Sequence, residues 1–96
     1  MNTQFKKGVL ELCALTLLLE EDKYGYELAD MLSKKMTVSE GSVYPMLKRL
    51  QTDGYFETYL KESPNGPARK YYRITIRGKQ RQAMLLKQWT EFTDQV

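Results

Sequence analysis

Basic side chains lie on both sides of a predicted turn in the second half of the chain. The segment "SPNGPA", residues 63–68, contains two prolines, an asparagine and a glycine, a composition typical of turns. The cations that flank it are Lys61, Arg69, Lys70 and Arg73. Cations at a protruding turn can bind phosphate groups by electrostatic attraction, without any catalytic group. The pattern therefore indicates a phosphate-binding surface.

Other kinds of site chemistry are excluded by residues that the chain lacks. The sequence contains no histidine, which removes Ser-His and Cys-His triads, histidine-based proton transfer and the usual zinc sites. The single cysteine, Cys13, lies in an apolar stretch, which favours a core thiol over a reactive one. We therefore expect a protein that is not an enzyme and that uses no cofactor or metal.

Charge is distributed unevenly along the chain. Residues 1–33 carry a net charge of −3, residues 34–81 carry +7 from eleven Lys and Arg against four acidic residues, and residues 82–96 carry −1. A basic central segment favours a polyanionic partner. A chain of 96 residues is one domain, and it buries so little surface that association is expected. No apolar run approaches the roughly 20 residues of a membrane span, and no signal peptide is evident, so we expect a cytoplasmic protein without membrane contact.

Three helices are predicted before the turn. Residues 5–19 are apolar on nearly every side, so this helix must be covered on more than one face. A second, amphipathic helix begins near Tyr24. The third begins near Thr37, which forms a capping-box spacing with Glu40, although Ser39 is a rival N-cap. Its predicted buried stripe and its predicted C-terminal glycine are Val43, Leu47, Leu50 and Gly54.

Pro45 interrupts the pattern of the third helix. Proline lacks the N–H of a normal helical residue and its ring crowds the preceding turn, so we expect a loose or kinked first turn. Two interpretations remain open. The distortion aims the helix end at a ligand, or Pro45 lies close enough to the start of the helix to be tolerated.

The residues around the turn predict a β-hairpin with a long tip. Residues 55–62 and 69–75 are rich in aromatic and β-branched residues with partial alternation. In the second strand, Tyr72 and Ile74 share the predicted core face, and Arg69, Tyr71, Arg73 and Thr75 share the other. A final helix follows. Leu85, Trp89, Phe92 and Val96 are spaced along it by four, three and four residues, which predicts a short apolar seam like that of a coiled coil.

This order of elements predicts a mainly α fold with a small β-hairpin, namely a winged helix-turn-helix domain over residues 1–76 and a C-terminal dimerisation helix over residues 77–96. In that architecture the third helix enters the major groove and the hairpin, or wing, lies along the phosphate backbone. The positions off the buried stripe of the third helix are Ser42, Tyr44, Pro45, Lys48 and Arg49. The sequence thus predicts a homodimer that binds double-stranded DNA at a palindromic operator.

Three segments resemble the PadR family of bacterial winged-helix transcription regulators: "KYGYELADML", "GSVYPMLKRLQTDGYFE" and "GPARKYYRITIRGK". The wing segment is the most specific of them. The resemblance implies that Ser42, Tyr44, Lys48 and Arg49 lie on the DNA-facing helix, and that Arg69, Lys70 and Tyr71 lie on the wing. It also implies dimerisation through the C-terminal helix and often a repressor role. Many relatives carry a longer C-terminal helical region than this chain.

Several residues admit a second interpretation. Lys48 and Arg49 can form an ordinary solvated face, and Tyr44 and Tyr71 can serve packing. Trp89 is expected in a dimer core, or as part of a site near Phe92 for a small planar aromatic effector that relieves repression. The alternative for the whole chain is a winged-helix module for protein interaction without DNA binding, which requires an apolar outer face on the third helix.

Overall fold

The computed structural model describes residues 3–95, so Val96 of the predicted seam lies outside the described residues. The elements are α1 (Thr3–Glu20), β1 (Lys23–Tyr24), α2 (Gly25–Met36), α3 (Glu40–Thr52), β2 (Phe56–Ser63), β3 (Gly66–Ile74) and α4 (Ile76–Asp94). The predicted order of three helices, a hairpin and a final helix is confirmed. No helix within residues 3–95 is long and apolar enough to cross a membrane.

The sheet has three antiparallel strands in the order β1-β3-β2, and β1 was not predicted. Its two residues pair with β3, Lys23 with Tyr72 and Tyr24 with Tyr71. The apolar spacing predicts instead that Tyr24 belongs to the second helix. Two residues are too few to show the alternation by which strands are recognised.

The prediction of a long hairpin tip is wrong. Ser63 pairs with Gly66, so that only Pro64 and Asn65 form the turn, and an irregularity in the register follows between Lys61 and Ser63. Pro67 is accommodated inside β3 because β1 pairs only with the far end of that strand, which leaves this part of β3 with an open edge. The wing therefore extends as paired strands almost to its tip.

The core lies between the first three helices and the inner face of the sheet. Phe56 and Tyr72 stack there with ring centroids 4.7 Å apart, and Tyr72 lies on the face predicted for it. The buried apolar residues are Leu10, Ala14, Leu15, Leu18, Leu28, Ala29, Leu32, Val43, Met46, Leu47, Leu50, Phe56 and Tyr72. Cys13 packs against this core with its Sγ 3.9 Å from Met36 Sδ, and burial raises the pKa of its thiol.

At the start of α3 the structure confirms the rival N-cap Ser39 rather than Thr37, and at its end it confirms Gly54. Thr37 forms no capping box, because it adopts a left-handed conformation (φ 53°) that ends α2. Ser39 occupies the N-cap position of α3, and its Oγ lies 3.2 Å from Ser42 Oγ. Gly54 follows the last turn with φ 82°, as glycine does after many helices. The helix continues through Pro45 without interruption.

Candidate nucleic-acid interface

The outer face of α3 presents a polar and basic surface. Ser42, Pro45 and Lys48 are exposed on it, while Val43 and Leu47 point into the core. The Lys48 ammonium forms no ion pair with any acidic group of residues 3–95, so its charge is available to a ligand. An apolar outer face, which a protein-interaction module would need, is absent from the described part of this helix.

Arg49 lies beside Lys48 but has a different environment. Its Nη2 is 3.8 Å from Oε2 of Glu11 on α1, and 47% of its side chain remains exposed. Its charge is therefore shared with an acidic residue, and its guanidinium still reaches solvent. The structure places Arg49 at the side of α3 that faces α1.

Tyr44 is turned away from the exposed face. Its hydroxyl oxygen is buried and has no hydrogen-bond partner among the described residues. Burial and the nearby Glu40 carboxylate raise the pKa of this phenol. The ring stands edge-on to Tyr26, with centroids 6.4 Å apart. This geometry favours the packing interpretation of Tyr44 over direct contact with a ligand.

Three tyrosines form a row across the outer face of the sheet, one from each strand. Tyr24 and Tyr71 have ring centroids 5.9 Å apart, and Tyr71 and Tyr59 have centroids 5.8 Å apart. We call this set the tyrosine row. Tyr26 extends it towards α3, because its ring lies 5.6 Å from Tyr24. No local pattern in the sequence predicts the tyrosine row, because pairing across three strands brings its members together.

A cation lies over each ring of the tyrosine row. The distances to the ring centroids are 4.9 Å for Arg69 over Tyr24, 5.0 Å for Lys61 over Tyr71 and 4.5 Å for Arg73 over Tyr59. Such contacts attract the cation to the negative face of the ring. They hold the three basic side chains on one surface.

Lys61 and Arg69 are directly opposite each other on paired strands. Like charges at opposed positions destabilise a sheet unless an anion lies between or over them. Lys70 is exposed and pairs with Leu60, which is 71% exposed, so it projects from the other face of the wing. The tip of the wing is thus basic on both faces.

Arg73 differs from the other wing cations because acidic residues of the described chain, residues 3–95, balance its charge. Its Nε donates to Oδ2 of Asp22 at 3.3 Å, and its Nη1 is 3.9 Å from Oε1 of Glu57. The hydrogen bond and the charge of Asp22 raise the pKa of Arg73. Arg73 therefore ties the base of the wing to the loop after α1.

The first turn of α4 holds the C-terminal end of α3. Thr75 Oγ1 donates to the carbonyl of Gly54 at 2.7 Å, and Arg77 Nε donates to the carbonyl of Asp53 at 2.9 Å. Thr75 also accepts from the backbone N–H of Gly78, which makes it the N-cap of α4. Carbonyls at a helix end need such partners. The orientation of α3 is therefore set by α4 as well as by the core.

The remaining predicted residues lie along α4. Leu85 is half-buried, and Trp89 and Phe92 stack with centroids 6.0 Å apart. All three border a cavity of about 230 Å³ that α4 forms with Val9 and Leu12 of α1. The large apolar residues exposed on this helix are Ile76, Met84, Leu86, Trp89 and Phe92. Residues 3–95 contain no cluster of acidic or cysteine side chains that would hold a metal ion.

A basic wing beside the exposed face of α3 defines a winged helix-turn-helix protein, the class in which this helix enters the major groove. A family model described as the transcriptional regulator PadR-like family matches residues 14–84. The chain belongs to that family and is a DNA-binding transcription regulator. Regulators of this kind are typically not enzymes.

Proteins of known sequence and structure resemble the chain over nearly its whole length. An uncharacterised protein of Lysinibacillus sphaericus is 36% identical over 88% of this chain and 82% of its own. The structure of a PadR-like transcriptional regulator from Bacillus cereus is 42% identical, with a TM-score of 0.83 over 97% of this chain and 92% of its own. A Streptococcus transcriptional regulator is 33% identical, with a TM-score of 0.86 over 98% and 94%.

Proposed function

We propose that the protein is a homodimeric repressor that binds a palindromic DNA operator through α3 and the wing. The observation that carries this proposal is the basic surface at the wing tip, where Lys61 and Arg69 oppose each other on the tyrosine row and neither forms an ion pair within residues 3–95. This arrangement of like charges is stabilised when phosphates lie against it.

The candidate residues divide into three roles in this proposal. Lys48 and Ser42 reach base edges from α3, because both are exposed on its outer face. Lys61, Arg69 and Lys70 contact phosphates. Tyr44, Tyr71 and Arg73 position the other two groups, because their polar atoms or rings already have neighbours in the fold. Arg49 belongs to the first group with a restriction, since Glu11 shares its charge.

Homodimerisation through residues 77–96 is supported by the exposed apolar side chains of α4. Met84, Leu86 and Phe92 are 41%, 46% and 48% exposed, and a two-fold partner would cover such a surface. Two α3 helices would then meet half-sites about one DNA turn apart, roughly 34 Å. Residues 1–76 form the DNA-binding unit in this proposal.

A planar aromatic effector is the finer part of the proposal. The cavity bordered by Leu85, Trp89 and Phe92 offers aromatic and aliphatic walls to a flat ligand. A ligand there would relieve repression by preferring an arrangement of the dimer in which the two α3 helices no longer match the half-sites.

Selection of duplexes from a randomised library by the purified protein tests the function. We expect enrichment of an imperfect palindrome, bound by a species of twice the chain mass in sedimentation. Lys48→Ala should weaken binding by about 1–3 kcal/mol and relax preference at one base position in each half-site. Lys87→Ala, which removes an exposed cation of α4, is the matched control and should leave the preference unchanged. Enrichment of no sequence would contradict sequence-specific binding and favour the protein-interaction module.

A further inference from the structure

A carboxylate is buried between three helices, behind the outer face of α3. Glu11 of α1 is only 4% exposed. Removing a carboxylate from water costs several kcal/mol unless cations and hydrogen bonds replace the lost solvation. A buried carboxylate at this position therefore requires cationic neighbours that balance its charge.

Two arginines from different helices share the Glu11 carboxylate. Arg81 of α4 donates from Nε to Oε1 at 2.9 Å and from Nη2 to Oε2 at 3.4 Å. Arg49 of α3 places its Nη2 3.8 Å from the same Oε2. The guanidinium of Arg81 also lies 5.5 Å from the ring of Tyr55, and its hydrogen bond to Glu11 raises the pKa of Arg81.

The two arginines are held unequally. Arg81 takes both carboxylate oxygens in a two-point contact, the geometry that fixes a guanidinium most firmly. Arg49 has a longer ionic contact, its guanidinium forms no hydrogen bond within the described residues, and 47% of its side chain is exposed. Its position is thus constrained while its N–H donors stay available.

We propose that Glu11 is a positioning residue for DNA recognition, which holds Arg49 of α3 in a direction set by Arg81 of α4. This inference rests on the proposed function, because it requires α3 to read DNA. It adds a connection between the dimerisation helix and the reading helix that no pattern in the sequence indicates. The bonds from Thr75 and Arg77 to the end of α3 act in the same sense, since they fix the helix that carries Arg49.

Through Arg81 and Glu11, a change in the position of α4 alters the position of Arg49 on the DNA-facing helix. Any change that withdraws Arg81 from Glu11 leaves the carboxylate with Arg49 as its remaining cation. Arg49 is then drawn inward and its contribution to recognition falls. Conversely, removing the carboxylate frees Arg49 to contact phosphates without regard to sequence.

Glu11→Gln in the full chain tests the inference by fluorescence anisotropy on two duplexes. One is the duplex selected by the wild-type protein, and the other is a scrambled duplex of the same composition. We expect the ratio of the two affinities to fall by about fivefold or more, the lower end of usual coupling between sites. Binding to the scrambled duplex should not weaken, because the substitution removes a negative charge.

Two further variants separate positioning from mere stability. In an Arg49→Gln background, Glu11→Gln should cause no additional loss of the ratio, since Glu11 acts through Arg49. Glu20→Gln removes an exposed charge from the same helix and should leave the ratio unchanged. Should Glu11→Gln fail to fold, Arg81→Lys keeps the charge without the two-point bond and should lower the ratio in the same direction.

Three results would overturn the inference: equal losses on both duplexes, an undiminished effect of Glu11→Gln in the Arg49→Gln background, or an unchanged ratio in a folded Glu11→Gln or Arg81→Lys variant. A wild-type protein that selects no duplex at all would remove the proposed function and this inference together.

Discussion

The hydroxyl of Tyr59 on β2 donates a hydrogen bond to Oδ2 of Asp22 at 2.7 Å, across 37 residues of sequence. The same oxygen accepts from Arg73 of β3. One carboxylate in the loop after α1 therefore fixes both long strands of the wing at the base of the tyrosine row. Lys61 lies over the next ring of that row, that of Tyr71.

The hydrogen bond between Tyr59 and Asp22 predicts that the Tyr59 phenol loses its proton at a higher pH than an ordinary tyrosine. The hydrogen bond to Asp22 raises the pKa of Tyr59 above its ordinary value of 10.0. A raised pKa in the folded state means that the contact stabilises the fold below about pH 10 and ceases to do so as the pH rises through the higher folded value. Comparison of phenolate absorbance between the wild type and Tyr59→Phe should assign a late-titrating group to Tyr59.

Asp22→Asn should move that titration back towards 10, because it weakens the hydrogen bond that raises the pKa of Tyr59. The matched control is Asp94→Asn, an exposed acidic residue of α4, which should leave the titration unchanged. A Tyr59 that titrates identically in wild type and Asp22→Asn would show that the hydrogen bond has no influence in solution.

A second prediction concerns the junction between α4 and the start of the wing. A Cβ at Gly78 would lie 1.9 Å from the carbonyl oxygen of Tyr55 and 2.7 Å from Cγ1 of Ile74. Gly78→Ala should therefore lower the free energy of unfolding by about 1–3 kcal/mol or more, because backbone must move. Urea unfolding followed by circular dichroism measures this.

Gly8 provides the control for Gly78. It lies in α1, and a Cβ there meets nothing within 4 Å. Gly8→Ala should raise the free energy of unfolding by about 0.4–1 kcal/mol, because alanine loses less backbone entropy in a helix. Equal effects of the two substitutions would contradict the close approach at Gly78.

The dependence of DNA affinity on salt should distinguish two arginines of the wing. Each phosphate contact contributes about −0.9 to the slope of log K against log salt concentration. Arg69→Ala should make the slope less steep by about that amount on every duplex. Arg73→Ala should leave the slope nearly unchanged, because Asp22 and Glu57 already balance its charge. A larger change for Arg73→Ala than for Arg69→Ala would reverse these roles.

Trp89 is the chain's single tryptophan and reports on the proposed effector site. Planar aromatic compounds should quench its fluorescence saturably and should weaken operator binding over the same concentration range, by about 1–3 kcal/mol at saturation. Leu85→Ala changes the lining of this cavity and should weaken the quenching, whereas Lys87→Ala, at an exposed position on the same helix outside that lining, should leave the quenching unchanged. Quenching without loss of DNA affinity would leave the cavity without a regulatory role.

Local patterns in the sequence were enough to determine the order of the four helices and the hairpin. Apolar spacing marked the helices, and Val43, Leu47 and Leu50 are buried as predicted. Gly54 marked the end of α3, since a positive φ favours glycine. The cations that flank the turn marked the wing. Each of these patterns involves only residues that are close together in the chain, so it can be recognised in a single sequence.

The tertiary structure alone decided which cations remain free. Arg73 meets Asp22 across 51 residues, and Arg81 meets Glu11 across 70. The tertiary structure also decided the tyrosine row, the two-residue strand β1 and the short hairpin tip, because all three depend on strand register. Periodicity and composition describe neighbours along the chain, whereas the energy of a charge depends on the groups that folding brings within a few ångströms of it. The sequence thus determined where the basic residues are, and the packing of α1, α4 and the sheet determined which of them lie beside an acidic group.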